Sequence, residues 1–209
     1  MQEVHDSDDV DRTFDFARVV TFTDGVFAIA ITLLVLGLDV PTNGNDLSSE
    51  LRNQLPNLFA YALSFFVIGR FWLTHHSFVR GLKEFDKVLV SLTLFYLACI
   101  VLLPFTSQLI GQWGGHEQAV VVYAVAIVAV LLSFCAQIIH AYRRDLLTPA
   151  YRAHARTRAV PGVLMTASGF AISIPVAVVD PSAAIYVWLA SIVIPNRVGE
   201  AMARAALRR

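Results

Sequence analysis

Six stretches of this chain are each about as long and as apolar as a helix must be to cross a bilayer. A crossing helix takes roughly 20 mostly apolar residues, and lipid offers backbone amides no hydrogen-bond partner, so such stretches fold as self-satisfied helices. The spans are 19–40, 55–77, 88–109, 118–139, 160–179 and 182–198. The last is the weakest, because its continuous apolar run ends at Ile194, before Pro195, Asn196 and Arg197. Composition agrees: 56% of the 209 residues are hydrophobic and 15% are charged, whereas a soluble domain usually has about 25% charged residues. The fold class is therefore all-α, a polytopic membrane protein with six transmembrane helices.

Charge placement gives an orientation. Fourteen of the 16 Lys and Arg lie in the N-terminal segment, the loops after the second and fourth spans, and the tail, while the alternate segments carry Arg52 and the second span carries Arg70. The positive-inside rule then puts both termini in the cytoplasm. This divides the chain into an acidic cytoplasmic segment (1–17), a transmembrane domain (18–198) and a basic cytoplasmic tail (199–209). The first segment has Glu3, Asp6, Asp8, Asp9, Asp11 and Asp15 where a cleavable signal needs basic residues. Lys and Arg together equal Asp and Glu in number, so no overall basic field exists to hold nucleic acid.

Prolines mark the helix ends. Pro41 closes the first span, Pro56 and Pro161 suit first turns, and Pro181 leaves so short a turn that the last two spans must form a tight hairpin. Pro104 and Pro175 are expected to kink or end their helices. Cys99 and Cys135 stand in apolar runs as packing residues, and Asp39 and Asp46, at the outer end of the first span and in the loop after it, read as ordinary loop acids.

Ionisable groups inside a bilayer usually face a bundle interior, a partner or a water path. Here they are Asp24, one turn into the first span, and Arg70, His75 and His76 at the inner part of the second, with Trp72 among them. Antiparallel neighbours bring these to similar depths, so an intramembrane polar cluster is expected. Arg18 and Asp24 are six residues apart, about 600° of helical rotation, and each should find its partner on another helix or subunit. The two histidine rings point about 100° apart, which disfavours a shared metal. No nucleophile elbow, zinc-protease, nucleotide or dinucleotide motif is present, so no enzyme activity is expected.

The first span reads RVVTFTDGVFAIAITLLVLGLDVP, with Ile29, Leu33 and Leu36 on one helical stripe and Thr32 beside the middle leucine. Arg18-x-x-x-Phe22-Thr23-Asp24 with its apolar continuation closely resembles the RxxxFSD signature of the prokaryotic transmembrane protein 175 family, bacterial relatives of the lysosomal potassium channel. The segment FWLTHHSFVR, with Trp72, His75 and His76, is similar to the family's second helix. The chain departs in having Thr23 where the signature has Ser, which keeps the hydroxyl and adds a methyl.

The resemblance implies a homotetrameric, potassium-selective leak-type channel in a plasma membrane, with the first helix of each subunit lining a central pore. It implies that Ile29 forms the innermost constriction, that Leu33 and Leu36 form the layers above it, and that Thr32 lies near the filter. Arg18, Phe22, Thr23 and Asp24 would hold the first helix to its neighbours. No cofactor is expected beyond permeant potassium; the partners are other copies of the chain and the bilayer. The residues alone leave a second reading open, a proton-coupled transporter relaying through Asp24, Arg70 and the histidines, although the chain lacks the internal repeat common in such proteins.

Overall fold

The computed structural model describes residues 4–38, 47–184, 186–188 and 190–191, with side chains from Phe16 onward. Its elements are α1 (Val4–Leu33) running into a 3-10 turn (Leu34–Gly37), α2 (Leu47–Asn53), α3 (Leu55–Val79), α4 (Lys87–Trp113), α5 (Glu117–Arg143), α6 (Pro149–His154), a π turn (Ala155–Ala159) and α7 (Val160–Val179). Among the described residues, five helices are long and apolar enough to cross a membrane, and they coincide with the first five expected spans. About half of the sixth span lies outside the described residues, as do Pro41, Asp39 and Asp46; its described residues, 182–184, 186–188, 190 and 191, are helical.

Two boundaries differ from the expectation. Helix α1 starts far ahead of the apolar run, because acidic side chains are good company for a helix N-terminus and nothing from Val4 to Phe16 breaks a helix. Its regular turns also stop early, at Leu33, where the backbone tightens toward Gly37. A side chain at Gly37 would overlap Gln108 of α4, so glycine permits this approach. Pro104 and Pro175 end neither helix; α4 and α7 run past them.

Helix α5 is the centre of the bundle, packed against α4 on one side and α7 on the other, while α1 packs on α3 and α4. The core between them is built from Phe27, Ile68, Phe78, Tyr96, Ile100, Ile127 and Ile138. The expected hairpin is present: the Trp188 indole donates to the Ser173 hydroxyl at 2.7 Å, Trp188 stacks on Phe170, and Gly169 touches Ser191 with no room for a β-carbon.

At one end of the bundle the α3–α4 and α5–α6 connections clasp each other. Leu82 and Leu147 form an antiparallel bridge, and Asp145, with φ 60°, binds both Lys83 and Arg152. Asp86 caps α4 by accepting the Leu89 N–H at 2.7 Å and accepts from His140 Nε2 of α5 at 2.8 Å. Burial alone would raise the Asp86 carboxyl, but the Leu89 N–H, His140 and Arg144 together hold it below the ordinary carboxylate range. The two loops richest in Arg and Lys thus share one end of the molecule, as an alternating topology requires.

Candidate pore-lining face and polar core

Helix α1 has two faces of opposite character. Thr23, Phe27, Ala30 and Leu34 are buried against the bundle at spacings of four, three and four. On the other side, about 130° around the helix, lie Phe22, Ile29 and Leu36. Ile29 is 58% exposed and Leu36 72% exposed, although both are large and apolar. Thr32 shares this side, and its hydroxyl donates back to the Ile29 carbonyl at 2.8 Å, leaving oxygen lone pairs outward. Leu33 is half-buried on the flank. The stripe that helical spacing marks is therefore mostly uncovered by the described residues.

The signature residues split by role. Thr23 is buried and its hydroxyl donates to the Val19 carbonyl at 2.8 Å, an intrahelical bond that either hydroxyl residue makes. Asp24 reaches across to α3, where the Trp72 indole N–H donates to its Oδ1 at 2.8 Å. Phe22 points outward, and Arg18 is exposed at the same end of the span. Asp24 thus has its partner on another helix, as expected.

The expected polar cluster does not form as one unit. Arg70 is exposed and donates to Thr74, one turn along its own helix, at 3.2 Å; no ion pair joins it to Asp24. Two residues four apart on α3 face the same way, whereas Trp72 and Arg70, two apart, do not. The histidines separate as their 100° offset requires. His76 is half-buried beside Trp72, and His75 is fully buried, stacked on Tyr96 with centroids 5.1 Å apart and ringed by Phe27, Phe78 and Phe134.

Sequence reasoning missed His75's polar neighbour, Gln137 of α5, which is wholly buried and accepts from the Thr93 hydroxyl of α4 at 2.9 Å. Its signal is an amide deep in the apolar run of α5, far from Gln118 at the helix start, a pattern that in lipid points to an interhelical bond. Asp24–Trp72 joins α1 to α3, and Thr93–Gln137 joins α4 to α5, each within the bilayer span. Such bonds fix helix register where apolar contacts alone permit sliding. The two bonds tie the helices into one bundle that leaves the outer face of α1 uncovered.

The model of the family described as endosomal/lysosomal potassium channel TMEM175 matches residues 18–104, which hold α1 from residue 18, α2, α3 and about two thirds of α4. A potassium channel of Streptomyces collinus is 36% identical over 123 residues, covering 56% of this chain and 60% of the relative. A potassium channel of Chamaesiphon minutus is 34% identical over 137 residues, covering 62% of this chain and 68% of the relative. The crystal structure of a lysosomal potassium-selective channel TMEM175 homolog from Chamaesiphon minutus superposes with a TM-score of 0.63 at 29% identity, covering 85% of this chain and 98% of that one. The matched region thus spans somewhat less than two thirds of the Streptomyces relative and somewhat more of the Chamaesiphon one.

Proposed function

The chain belongs to the TMEM175 potassium-channel family, and on that premise we propose that it forms a potassium-selective leak-type channel, a homotetramer in which α1 of each subunit lines the pore. The observation that carries this reading is the uncovered stripe of Phe22, Ile29, Thr32 and Leu36, opposite the face α1 uses to join its own bundle. One helix cannot enclose a conduit, so a single such face per subunit calls for several subunits around an axis.

Rings of Ile29 and Leu36, with Leu33 between them, give an apolar constriction that shuts by dewetting, since an ion without its water has no replacement ligands there. A small dilation admits a partly hydrated ion. Potassium holds its water less tightly than sodium, so the ring penalises sodium more. Selectivity of this kind is weaker than that of a carbonyl-lined filter. The Asp24–Trp72 bond holds the inner end of α1 in place while the constriction changes width. The basic clasp end, the residues before Arg18 and the tail from residue 199 then face the cytoplasm of a plasma membrane.

Thiol modification tests the placement of α1. In a Cys99→Ala/Cys135→Ala background, Leu36→Cys gives potassium currents blocked by a charged methanethiosulfonate reagent. Ile172→Cys, on the outward face of α7, gives currents the reagent leaves alone. Equal insensitivity at both positions would overturn the assignment of α1 to the pore.

A further inference from the structure

The clasp end of the bundle carries a strong charge imbalance. Residues 80–87 and 143–158 hold eight Arg and Lys against the three acids Glu84, Asp86 and Asp145. Two of those acids are engaged within the clasp: Asp86 by the α4 N-terminus, His140 and Arg144, and Asp145 by Lys83 and Arg152. Arg152 is further held over the Tyr142 ring. Arg156 and Arg158, in the π turn, are exposed and take part in no ion pair among the described residues.

These two arginines stand at the head of an apolar track. Helix α7 buries Ala167, Phe170, Ser173 and Ala177 and turns Leu164, Met165, Ile172 and Val179 outward, Ile172 at 60% and Val179 at 87% exposure. Met165, Ile172 and Val179 recur every seven residues, and Arg158 stands seven before Met165. Two helical turns fall about 20° from alignment over seven residues, so Met165, Ile172 and Val179 follow one side of α7 over roughly 20 Å, and Arg156 and Arg158 stand in the π turn just before it. The molecule therefore presents two exposed guanidiniums in the turn that leads into an exposed apolar stripe.

We propose that this end of α7 binds an anionic phospholipid, its headgroup phosphate drawn to the basic turn that carries Arg156 and Arg158 and an acyl chain laid along Leu164, Met165 and Ile172. The guanidinium fork matches phosphate oxygens better than an ammonium does. A zwitterionic headgroup brings its own cation toward an end that is already basic, so net anionic lipids are preferred. This proposal needs the bilayer placement of α7 but not ion conduction.

The test is lipid titration of the purified full-length protein by native mass spectrometry, using phosphatidylglycerol and phosphatidylcholine with identical acyl chains. The expected result is preferential phosphatidylglycerol binding that Arg156→Gln/Arg158→Gln weakens roughly 25-fold, at about fivefold per arginine. Arg80→Gln/Lys87→Gln, which removes the same charge elsewhere on the end, leaves it nearly unchanged. Phosphatidylglycerol with very short chains binds less well, and inorganic phosphate does not compete. Equal binding of the two headgroups, equal loss in both double variants, or full competition by inorganic phosphate would each overturn the proposal. If the Gln pair fails to assemble, Arg156→Lys/Arg158→Lys decides: retained preference for the anionic lipid supports the site, and loss of all preference in an assembled protein contradicts it. Intersubunit cross-linking through Ile172→Cys would assign the face to a second copy instead, whatever the currents show.

Discussion

The Trp72 indole N–H and the Asp24 carboxylate meet at 2.8 Å across the α1–α3 interface, and this contact fixes where the uncovered face of α1 points. A carboxylate within the span has no water to solvate it fully, so removing its donor costs more than one neutral bond does. Trp72→Phe should destabilise the assembled protein by about 1–2 kcal/mol. Asp24→Ala should lower the yield of oligomer in size-exclusion chromatography, with monomer or aggregate replacing it. Full yield of oligomer with a shifted pH dependence of transport would instead favour a proton relay.

Gly169→Ala should disrupt the α7 hairpin, because a β-carbon there overlaps the Ser191 side chain. Overpacking of this kind costs about 1–3 kcal/mol. Adding Ser191→Gly removes the obstacle, so the double variant should unfold at a higher temperature than Gly169→Ala alone, a coupling that thermal denaturation in detergent can measure.

Asp86 gives a pH dependence with a defined sign. Its folded-state carboxyl is held below the ordinary value of 3.8, so the folded state binds the proton less readily than the unfolded chain. The stabilisation is complete above that ordinary value and is lost as pH falls through the lower folded value. Asp86→Ala should cost about 1 kcal/mol at neutral pH for the α4 cap alone, plus the pairing to His140. Unfolding midpoints of wild type and variant, compared from pH 7 downward, should keep a constant gap until about pH 4 and converge below it.

The gate reading makes Ile29 the decisive apolar side chain. Ile29→Asn places a hydrogen-bonding group at the constriction, so water enters more readily. Single-channel conductance should rise several-fold and the potassium-to-sodium permeability ratio should fall toward one. Planar-bilayer recordings check both, and an unchanged conductance and ratio would remove Ile29 from the pore.

Periodicity and span length marked the five described crossings and the hairpin because lipid imposes those patterns locally. The RxxxFTD run was legible for the same reason: its residues are close in sequence. What connects distant segments was not. Arg70 and Asp24 share a depth, but depth does not set rotation, and the angular offset between Arg70 and Trp72 sent one outward and the other to Asp24. Helical spacing likewise described the Ile29 stripe correctly as a face without saying that its own bundle leaves it bare. The Asp86–His140 contact joins residues 54 apart through a loop bridge with no sequence signature. Gln137 had a signal, an amide amid apolar neighbours, but its partner Thr93 became visible only when α4 and α5 were seen side by side.

The reversal potential of the purified protein in a planar bilayer, with potassium on one side and an equal concentration of sodium on the other, tests the central claim most directly. A passive current that reverses on the potassium side of zero, without any pH gradient, is the predicted result. Absence of current, with cation movement only when a proton gradient is imposed, would contradict the channel and leave α1's bare face to a transporter.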